Sequence, residues 1–233
     1  MKETINPSKK KYTSLWLTRG KTAEKILLFV SLLLIVILVL VVLIYGRNSF
    51  DQYVFKHIAP HITKIRTWIM IRISLLANHF FLVPIVVALI AIFLFKKNKW
   101  MAIRTATVLL SSLLQMSLLK RLIQRQRPPD PLVDGITNFS FPSGHAFLAV
   151  AFYGLLIWCA SVYISTKWLK NAAIVFLILI IAAIGFSRIY LRMHYATDVL
   201  AGICMGFVWL DFCLWFIDKQ EFRNRAKDLK AGN

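Results

Sequence analysis

The sequence predicts an all-α integral membrane protein, a six-helix bundle with an amphipathic interfacial helix between spans one and two. Two observations support this fold class. Apolar residues make up 58% of the 233-residue chain, and they are collected in continuous runs that are too long for a soluble core. The first run, residues 26–45, carries no charge and would extend about 30 Å as a helix, which matches the thickness of a bilayer's hydrocarbon core.

The remaining spans follow in order along the chain. We expect them at residues 75–95, 103–123, 143–164, 171–187 and 195–217. Between spans one and two, residues 50–74 mix apolar and basic side chains at roughly helical spacing, which predicts an amphipathic helix on the membrane surface. The expected organisation is a cytoplasmic N-terminal segment (1–25), a six-span membrane domain (26–217) and a basic cytoplasmic tail (218–233).

The charge pattern predicts the orientation of the spans. The formal charge of +19 would suggest nucleic acid in a soluble protein, but no basic and aromatic repeat accompanies it, so no nucleic-acid partner is expected. With six spans, 18 of the 29 Lys and Arg residues lie on the side of the two termini and 11 on the other side. Because positive residues favour the cytoplasm, both termini are predicted to face inward. The loop between spans three and four and the loop between spans five and six then both face outward.

Two cations mark the end of the third span. Lys120 and Arg127 are about two helical turns apart and lie on one stripe, and Pro128 and Pro129 stop the helix. The planar fork of Arg127 can bind two phosphate oxygens while Lys120 supplies a point charge. Taken alone, the pair fits snorkelling interfacial cations equally well. We give that structural interpretation to the neighbouring Arg125.

A short motif, Pro142-Ser143-Gly144-His145, opens the fourth span. A helix N-terminus presents unpaired backbone N–H groups and partial positive charge, which suit an anion, and Gly144 allows close approach of the backbone. His145 would lie at the same mouth, able to pass a proton to a departing oxygen. A serine-capped helix with an interfacial histidine is the structural alternative.

The third group of residues lies between spans five and six. His194 and Asp198 are four residues apart, so a helical start of span six would put them on one face, where the carboxylate can hold the imidazole tautomer. Such a pair makes histidine a better nucleophile, and Arg188 lies just upstream. A purely structural pair remains the alternative.

Charge supports a joint interpretation of the three groups. Lys120, Arg127 and Arg188 bring three positive charges, against two on a phosphomonoester and one on Asp198. Preorganised cations and N–H donors of this kind stabilise a phosphoryl transition state without a metal ion. No acidic cluster suited to Mg²⁺ is evident in the sequence, so neither a metal nor another cofactor is expected.

These residues resemble the type-2 phosphatidic acid phosphatase family, which shares its site with vanadium haloperoxidases and bacterial acid phosphatases. The family pattern is Lys, six residues, Arg-Pro; then Pro-Ser-Gly-His; then Ser-Arg, five residues, His, three residues, Asp. All three blocks match at full spacing, across roughly residues 50–215. Where many relatives have a second Arg-Pro after the first block, this chain has Pro129-Asp130-Pro131, a departure expected to touch substrate choice more than chemistry.

The resemblance implies roles for individual residues. His194 would be the nucleophile that forms a phosphohistidine, Asp198 would orient it, and His145 would be the acid. The phosphate would be bound by five residues: Lys120, Arg127, Ser143, Gly144 and Arg188.

The function expected from the sequence is that of a lipid phosphatase in a bacterial inner membrane, with its site on the outer face. Because soluble relatives would not need six spans, the substrate is expected to be a lipid phosphate held in the bilayer. The candidates are undecaprenyl diphosphate, phosphatidylglycerol phosphate, phosphatidic acid and lipid A phosphate. A lipid phosphotransferase and, less well supported, a lipid transporter remain alternatives, and the sequence leaves the oligomeric state open.

Overall fold

The computed structural model describes residues 22–133 and 138–231 and consists, over these ranges, of helices and connecting turns. The predicted cytoplasmic segment 1–25 lies almost entirely outside the described residues. The helices are α1 (Thr22–Tyr45), α2 (Ser49–Ile58), α3 (Lys64–Leu75), α4 (His79–Phe95), α5 (Lys99–Ile123), α6 (Gly144–Tyr163), α7 (Lys167–Tyr190) and α8 (Ala196–Ala231).

Six stretches in the described residues are long and apolar enough to cross a membrane, which confirms the all-α six-span fold class. For five of them, the helix end predicted to face outward lies within a few residues of its expected position. The second differs, because it runs from Lys64 to Phe95 rather than from residue 75. It is interrupted after α3, where the Asn78 side chain accepts the Phe80 N–H at 3.0 Å and starts α4.

The segment between spans one and two is shorter and more divided than the pattern predicted. A single amphipathic helix was expected over residues 50–74, whereas the structure has α2, a 3-10 turn (Ala59–His61) and then α3. Pro60 lies in that turn and Ile62 is extended, so α2 cannot continue. Only α2 therefore remains as a separate short helix, and α3 packs along α7 as part of span two.

Helix α6 lies at the centre of the bundle and contacts α5, α7 and α8. Its contact with α8 is close because Gly202 and Gly206 face it. A Cβ added at Gly202 would lie 2.6 Å from the Ser143 carbonyl oxygen, and one at Gly206 would lie 2.8 Å from the Phe147 carbonyl oxygen. These two glycines therefore permit close packing of α8 against α6.

The last helix extends beyond the predicted end of the membrane domain. Span six was expected to end at residue 217, but α8 continues to Ala231. Arg104 near the start of α5 forms ion pairs with Asp218 and Glu221 on this extension. The alternating direction of the spans brings the end of α5, the start of α6, the end of α7 and the start of α8 to the opposite end of the bundle.

Candidate active site

All eight residues that the sequence singled out lie at that one end of the bundle. Lys120 lies in the last turn of α5, but that helix ends at Ile123 and Arg127 lies in the loop after it, so the prediction that the two share one helical stripe is wrong. Arg188 lies in the last turn of α7, and His194 precedes α8, whose first turn contains Asp198. Ser143, Gly144 and His145 form the N-cap and first two residues of α6.

His194 and Asp198 are both fully buried, with relative exposures of 1% and 0%. The Nδ1 atom of His194 lies 3.7 Å from Oδ2 of Asp198, which is longer than a direct hydrogen bond. The Ser140 hydroxyl lies beside both groups: it donates to Asp198 Oδ2 at 2.5 Å and is 3.3 Å from His194 Nδ1. The sequence motifs did not single out Ser140.

Asp198 is fixed by further bonds on its other side. Its Oδ1 accepts from Arg125 at 2.5 Å, and its Oδ2 also accepts the Tyr195 backbone N–H at 2.9 Å. Arg125 also binds Asp51 in α2 at 2.7 Å. The interpretation of Arg125 as a snorkelling interfacial cation is therefore wrong, because its side chain is 4% exposed and bridges two buried carboxylates.

Lys120 and Arg127 converge on the short segment before the α6 cap. The Asn138 side-chain oxygen accepts from Lys120 Nζ at 3.1 Å and from Arg127 at 2.5 Å. The carbonyl oxygen of Phe139 accepts from Lys120 at 2.8 Å. A neutral amide oxygen thus sits between two cations, in the kind of position that an anionic oxygen would occupy.

Arg127 reaches the imidazole as well. Its NH1 atom is 3.4 Å from Nε2 of His194 and donates to the Met193 carbonyl oxygen at 2.5 Å. The two ring nitrogens of His194 therefore face different surroundings. Nδ1 faces Ser140 and Asp198, and Nε2 faces the cations.

Arg188 and His145 complete the ring of polar groups. Arg188 is 4% exposed and donates to the Ser74 hydroxyl at 2.5 Å, while its Nε atom has no hydrogen-bond partner within the described residues. His145 lies close enough to Arg188, His194, Lys120 and Arg127 to interact with them electrostatically.

Ser143 and Gly144 place the start of α6 beside these groups. The buried Ser143 side chain accepts the Ala146 N–H at 3.5 Å, so it caps the helix, and its own N–H donates to the Asp198 carbonyl oxygen at 3.0 Å. A Cβ at Gly144 would lie 3.8 Å from the Lys120 side chain. The helix N-terminus and the Lys120 ammonium group are thus neighbours.

Burial and positive charge act together on His194. Burial, followed by the charges of Arg188, Arg127 and Lys120, holds the pKa of His194 well below its ordinary value of 6.5. A neutral imidazole is the form that can act as a nucleophile. Within residues 22–133 and 138–231, no group of three or more His, Cys, Asp or Glu side chains could hold a metal ion.

Comparisons with known proteins agree with this geometry. The profile of the PAP2 superfamily matches residues 100–222. The chain belongs to the PAP2 superfamily. It is 33% identical to phosphatidylglycerophosphatase B of Bacillus subtilis over 166 residues, which cover 68% of this chain and 78% of the relative. The resemblance inferred from the three sequence blocks is thereby confirmed, and the chain is a multi-pass membrane phosphatase.

Other relatives share parts of the chain. Dolichyldiphosphatase 1 of Dictyostelium discoideum is 27% identical over 140 residues, covering 55% of this chain and 59% of that protein. The crystal structure of a transmembrane PAP2-type phosphatidylglycerolphosphate phosphatase from Bacillus subtilis superposes with a TM-score of 0.74. That likeness covers 82% of this chain and 96% of the other at 25% identity, and it supports the membrane helix bundle.

Proposed function

We propose that this membrane lipid phosphatase hydrolyses the phosphomonoester or terminal diphosphate of a lipid through a phosphohistidine on His194. The observation that carries the proposal is the two-sided environment of the imidazole. Its Nδ1 is beside Ser140 and Asp198, and its Nε2 is beside Arg127. A nucleophilic nitrogen is thereby aimed at the group that would bind phosphate.

In the first chemical step, the Nε2 lone pair forms a bond to phosphorus and the bond from phosphorus to the lipid oxygen breaks. Lys120, Arg127 and Arg188 stabilise the charge on the equatorial phosphate oxygens. His145, protonated once the bound phosphate dianion offsets the surrounding cations, gives a proton to the leaving oxygen, and Asp198 stabilises the positive charge on the modified imidazole. The N–H group of Gly144 at the α6 terminus contributes partial positive charge, while the Ser143 N–H is bound to the Asp198 carbonyl oxygen and the Ser143 side chain caps the helix.

In the second step, water attacks the phosphohistidine and the P–N bond breaks. His145, now neutral, accepts a proton from that water, and the electron pair of the broken bond returns to Nε2. Inorganic phosphate and neutral His194 are the products. No step uses a metal ion, so we expect activity to survive EDTA unchanged, and strict dependence on Mg²⁺ would contradict the scheme.

The position of the site relative to the membrane supports a lipid substrate. The site lies at one end of a bundle whose spans could place an acyl or prenyl tail in the bilayer, with its phosphate at the pocket. The relatives are named for a phosphatidylglycerophosphate and a dolichyl diphosphate, so both glycerolipid and prenyl substrates belong in a test. The candidates are phosphatidylglycerol phosphate, phosphatidic acid, undecaprenyl diphosphate and lipid A phosphate.

The proposed location is a bacterial inner membrane with the site on the outer face. The greater number of Lys and Arg residues on the side of both termini supports this orientation. The domain division proposed from sequence places residues 26–217 in the membrane, with a cytoplasmic segment before them and a basic tail after them.

The direct test is a panel of these lipid phosphates assayed with purified protein, with free phosphate and phosphorylated acceptor lipid measured in parallel. We expect free phosphate to be released without any transmembrane gradient, and we expect His194→Ala to abolish this release. Phosphorylated acceptor in place of free phosphate would indicate a phosphotransferase. Failure to release phosphate from any of the lipids would contradict the proposal.

His145 offers a test of the chemistry. A lipid alkoxide is a poor leaving group and needs the proton, whereas a diphosphate expels a lipid monophosphate that is already a stable anion. His145→Ala should therefore reduce monoester hydrolysis more than diphosphate hydrolysis. Equal losses on both substrates would show that His145 is not the acid.

A further inference from the structure

We propose that Asp51, which lies outside the matched family region, is a positioning residue for the catalytic pair. It holds Arg125 and the first turn of α8 so that Asp198 keeps its place beside His194. This inference rests on the proposed role of His194 as the nucleophile. Asp51 lies in α2, within the segment that sequence analysis interpreted only as interfacial.

The first connection runs through Arg125. Asp51 Oδ2 accepts from Arg125 NH2 at 2.7 Å, while Arg125 NH1 donates to Asp198 Oδ1 at 2.5 Å. The guanidinium group is planar and its donors have a fixed spacing, so fixing one nitrogen fixes the direction of the other. Asp51, together with the Gly46 carbonyl oxygen and the Thr197 hydroxyl, which also accept from Arg125, therefore sets where Arg125 presents its NH1 atom to Asp198.

The second connection runs through the start of α8. Asp51 Oδ1 accepts the Thr197 backbone N–H at 3.0 Å, and Oδ2 accepts the Thr197 hydroxyl at 2.8 Å. Thr197 is the residue before Asp198, and its N–H belongs to the first turn of α8, whose N–H groups have no partner inside the helix. The Asp51 carboxylate thus caps the helix that carries Asp198.

A role confined to α2 does not account for these contacts. Asp51 does take part in the local cap, because Asn48 accepts the Asp51 N–H at 2.9 Å and donates to its carboxylate at 2.8 Å. A capping acid is usually at the surface, whereas Asp51 is 1% exposed. Its carboxylate also binds groups 74 and 146 residues away. A buried carboxylate with such partners ties α2 to the site.

Charge gives Asp51 a second effect. Arg125 carries one positive charge and lies between two carboxylates, so Asp198 is not the sole partner of that charge. Oδ2 of Asp198, which faces Ser140 and His194, therefore keeps its capacity to stabilise a positive imidazole. If Asp51 lost its charge, Arg125 would be drawn more fully to Asp198, and that stabilisation would weaken.

The test is Asp51→Asn, which removes the charge and preserves the shape. We expect kcat to fall about 10-fold to 100-fold, while KM and the inhibition constant of inorganic phosphate stay within about twofold, because the cations that bind phosphate are intact. Asp218→Asn is the matched control. It removes the charge of a partly buried carboxylate paired with Arg104 at the other end of the bundle, and should change thermal stability without lowering kcat.

A double-substitution cycle tests whether Asp51 acts through Arg125. Adding Asp51→Asn to Arg125→Lys should cost less than Asp51→Asn costs alone, since both changes break the connection through Arg125, while Asp51→Asn also weakens the connection through Thr197. If Asp51→Asn does not give folded protein, Thr197→Val removes the hydroxyl that donates to Asp51 and accepts from Arg125 NH1 at 2.8 Å, and should lower kcat several-fold with KM unchanged.

Three results would overturn the inference: an unchanged kcat in Asp51→Asn, a loss of kcat equal to that in Asp218→Asn, or fully additive effects with Arg125→Lys. If Thr197→Val is measured instead of Asp51→Asn, an unchanged kcat in Thr197→Val also overturns the inference. His194→Ala separates this failure from failure of the proposed function. An active His194→Ala enzyme contradicts the nucleophile itself, whereas an inactive one beside a fully active Asp51→Asn contradicts only the role of Asp51.

Discussion

Two buried arginines, at opposite ends of the bundle, have the same kinds of partner: two carboxylates and one aromatic ring. Arg125 binds Asp51 and Asp198 and lies 4.0 Å from the Tyr195 ring centroid. Arg104 binds Asp218 and Glu221 and lies 5.2 Å from the Trp158 ring centroid. With a rise of about 1.5 Å per residue along α5, Arg104 is about 24 Å from Lys120 at the site end.

The difference lies in how each arginine uses its nitrogens and in what lies beyond its partners. Arg104 binds both acids through the same NH2 atom. Arg125 uses NH1 for Asp198 and NH2 for Asp51, so it connects two segments of the chain. Beyond Asp198 lie Ser140 and His194. The same ion-pair chemistry thus joins helices at one end and, at the other, also holds reactive groups in place.

The largest effect should come from Arg188, which is buried at the site end and is one of the three proposed phosphate-binding cations. Arg188→Ala removes a buried guanidinium bound to the Ser74 hydroxyl, and we expect kcat to fall about 10²-fold or more if it contacts the transition state. Steady-state kinetics on the preferred lipid phosphate measure this. A loss confined to KM would show that Arg188 binds the ground state only.

Lysine substitutions sharpen the contrast between the two ends. Arg125→Lys should lower kcat about 10-fold to 100-fold, because one ammonium group cannot reproduce a two-nitrogen bridge. Arg104→Lys should change kcat less than about twofold, since both acids there meet a single nitrogen. Kinetics of both variants, with thermal unfolding recorded alongside, provide the comparison. Equal effects on kcat would remove the distinction.

A smaller effect is expected at Asn138, whose side-chain oxygen lies between Lys120 and Arg127. Asn138→Asp would place a carboxylate between those cations and compete with the substrate phosphate, so KM should rise about 10-fold. Asn138→Ala, which adds no charge, is the matched control. An unchanged KM in Asn138→Asp would mean that phosphate does not bind between these two side chains.

The smallest expected effect concerns the protonation state of His194. Burial and the nearby cations hold its pKa well below 6.5, so the neutral form persists to lower pH than for an ordinary histidine. An NMR titration of histidine-labelled protein, assigned with His194→Ala, should show no titration of this ring between pH 7.5 and 6.5. In Arg188→Ala the pKa should rise, because a repelling charge is lost. Titration at or above pH 6.5 in the unmodified protein would contradict this environment.

Much of the fold was predictable because the bilayer imposes a strong pattern on sequence. Six charge-poor runs predicted six spans. The break between α3 and α4 was harder to foresee, since the basic residues Lys64, Arg66 and Arg72 in that region resemble those of an interfacial helix. The extension of α8 carries Asp218 and Glu221, whose partner Arg104 lies 114 and 117 residues away in sequence, so no local pattern indicates these contacts.

The sequence correctly predicted that His194 and Asp198 lie together, but not how: His194 precedes α8, and the Ser140 hydroxyl contacts both side chains. Ser140, Arg125 and Asp51 were missed because their roles depend on contacts between distant segments. Arg125 and Asp51 are 74 residues apart, and Ser140 and Asp198 are 58 residues apart. One signal was present: Asp51 is the single acid among residues 46–75, an unusual residue in a segment otherwise basic and apolar.

The most direct test of the account is to trap the enzyme with a lipid substrate labelled with ³²P in its terminal phosphate. After rapid denaturation, we expect label on His194, stable to base and lost in acid as a phosphoramidate is, and absent from His194→Ala. Label on a serine, or labelling of His194→Ala equal to that of the unmodified protein, would contradict the claim that this imidazole receives the phosphoryl group.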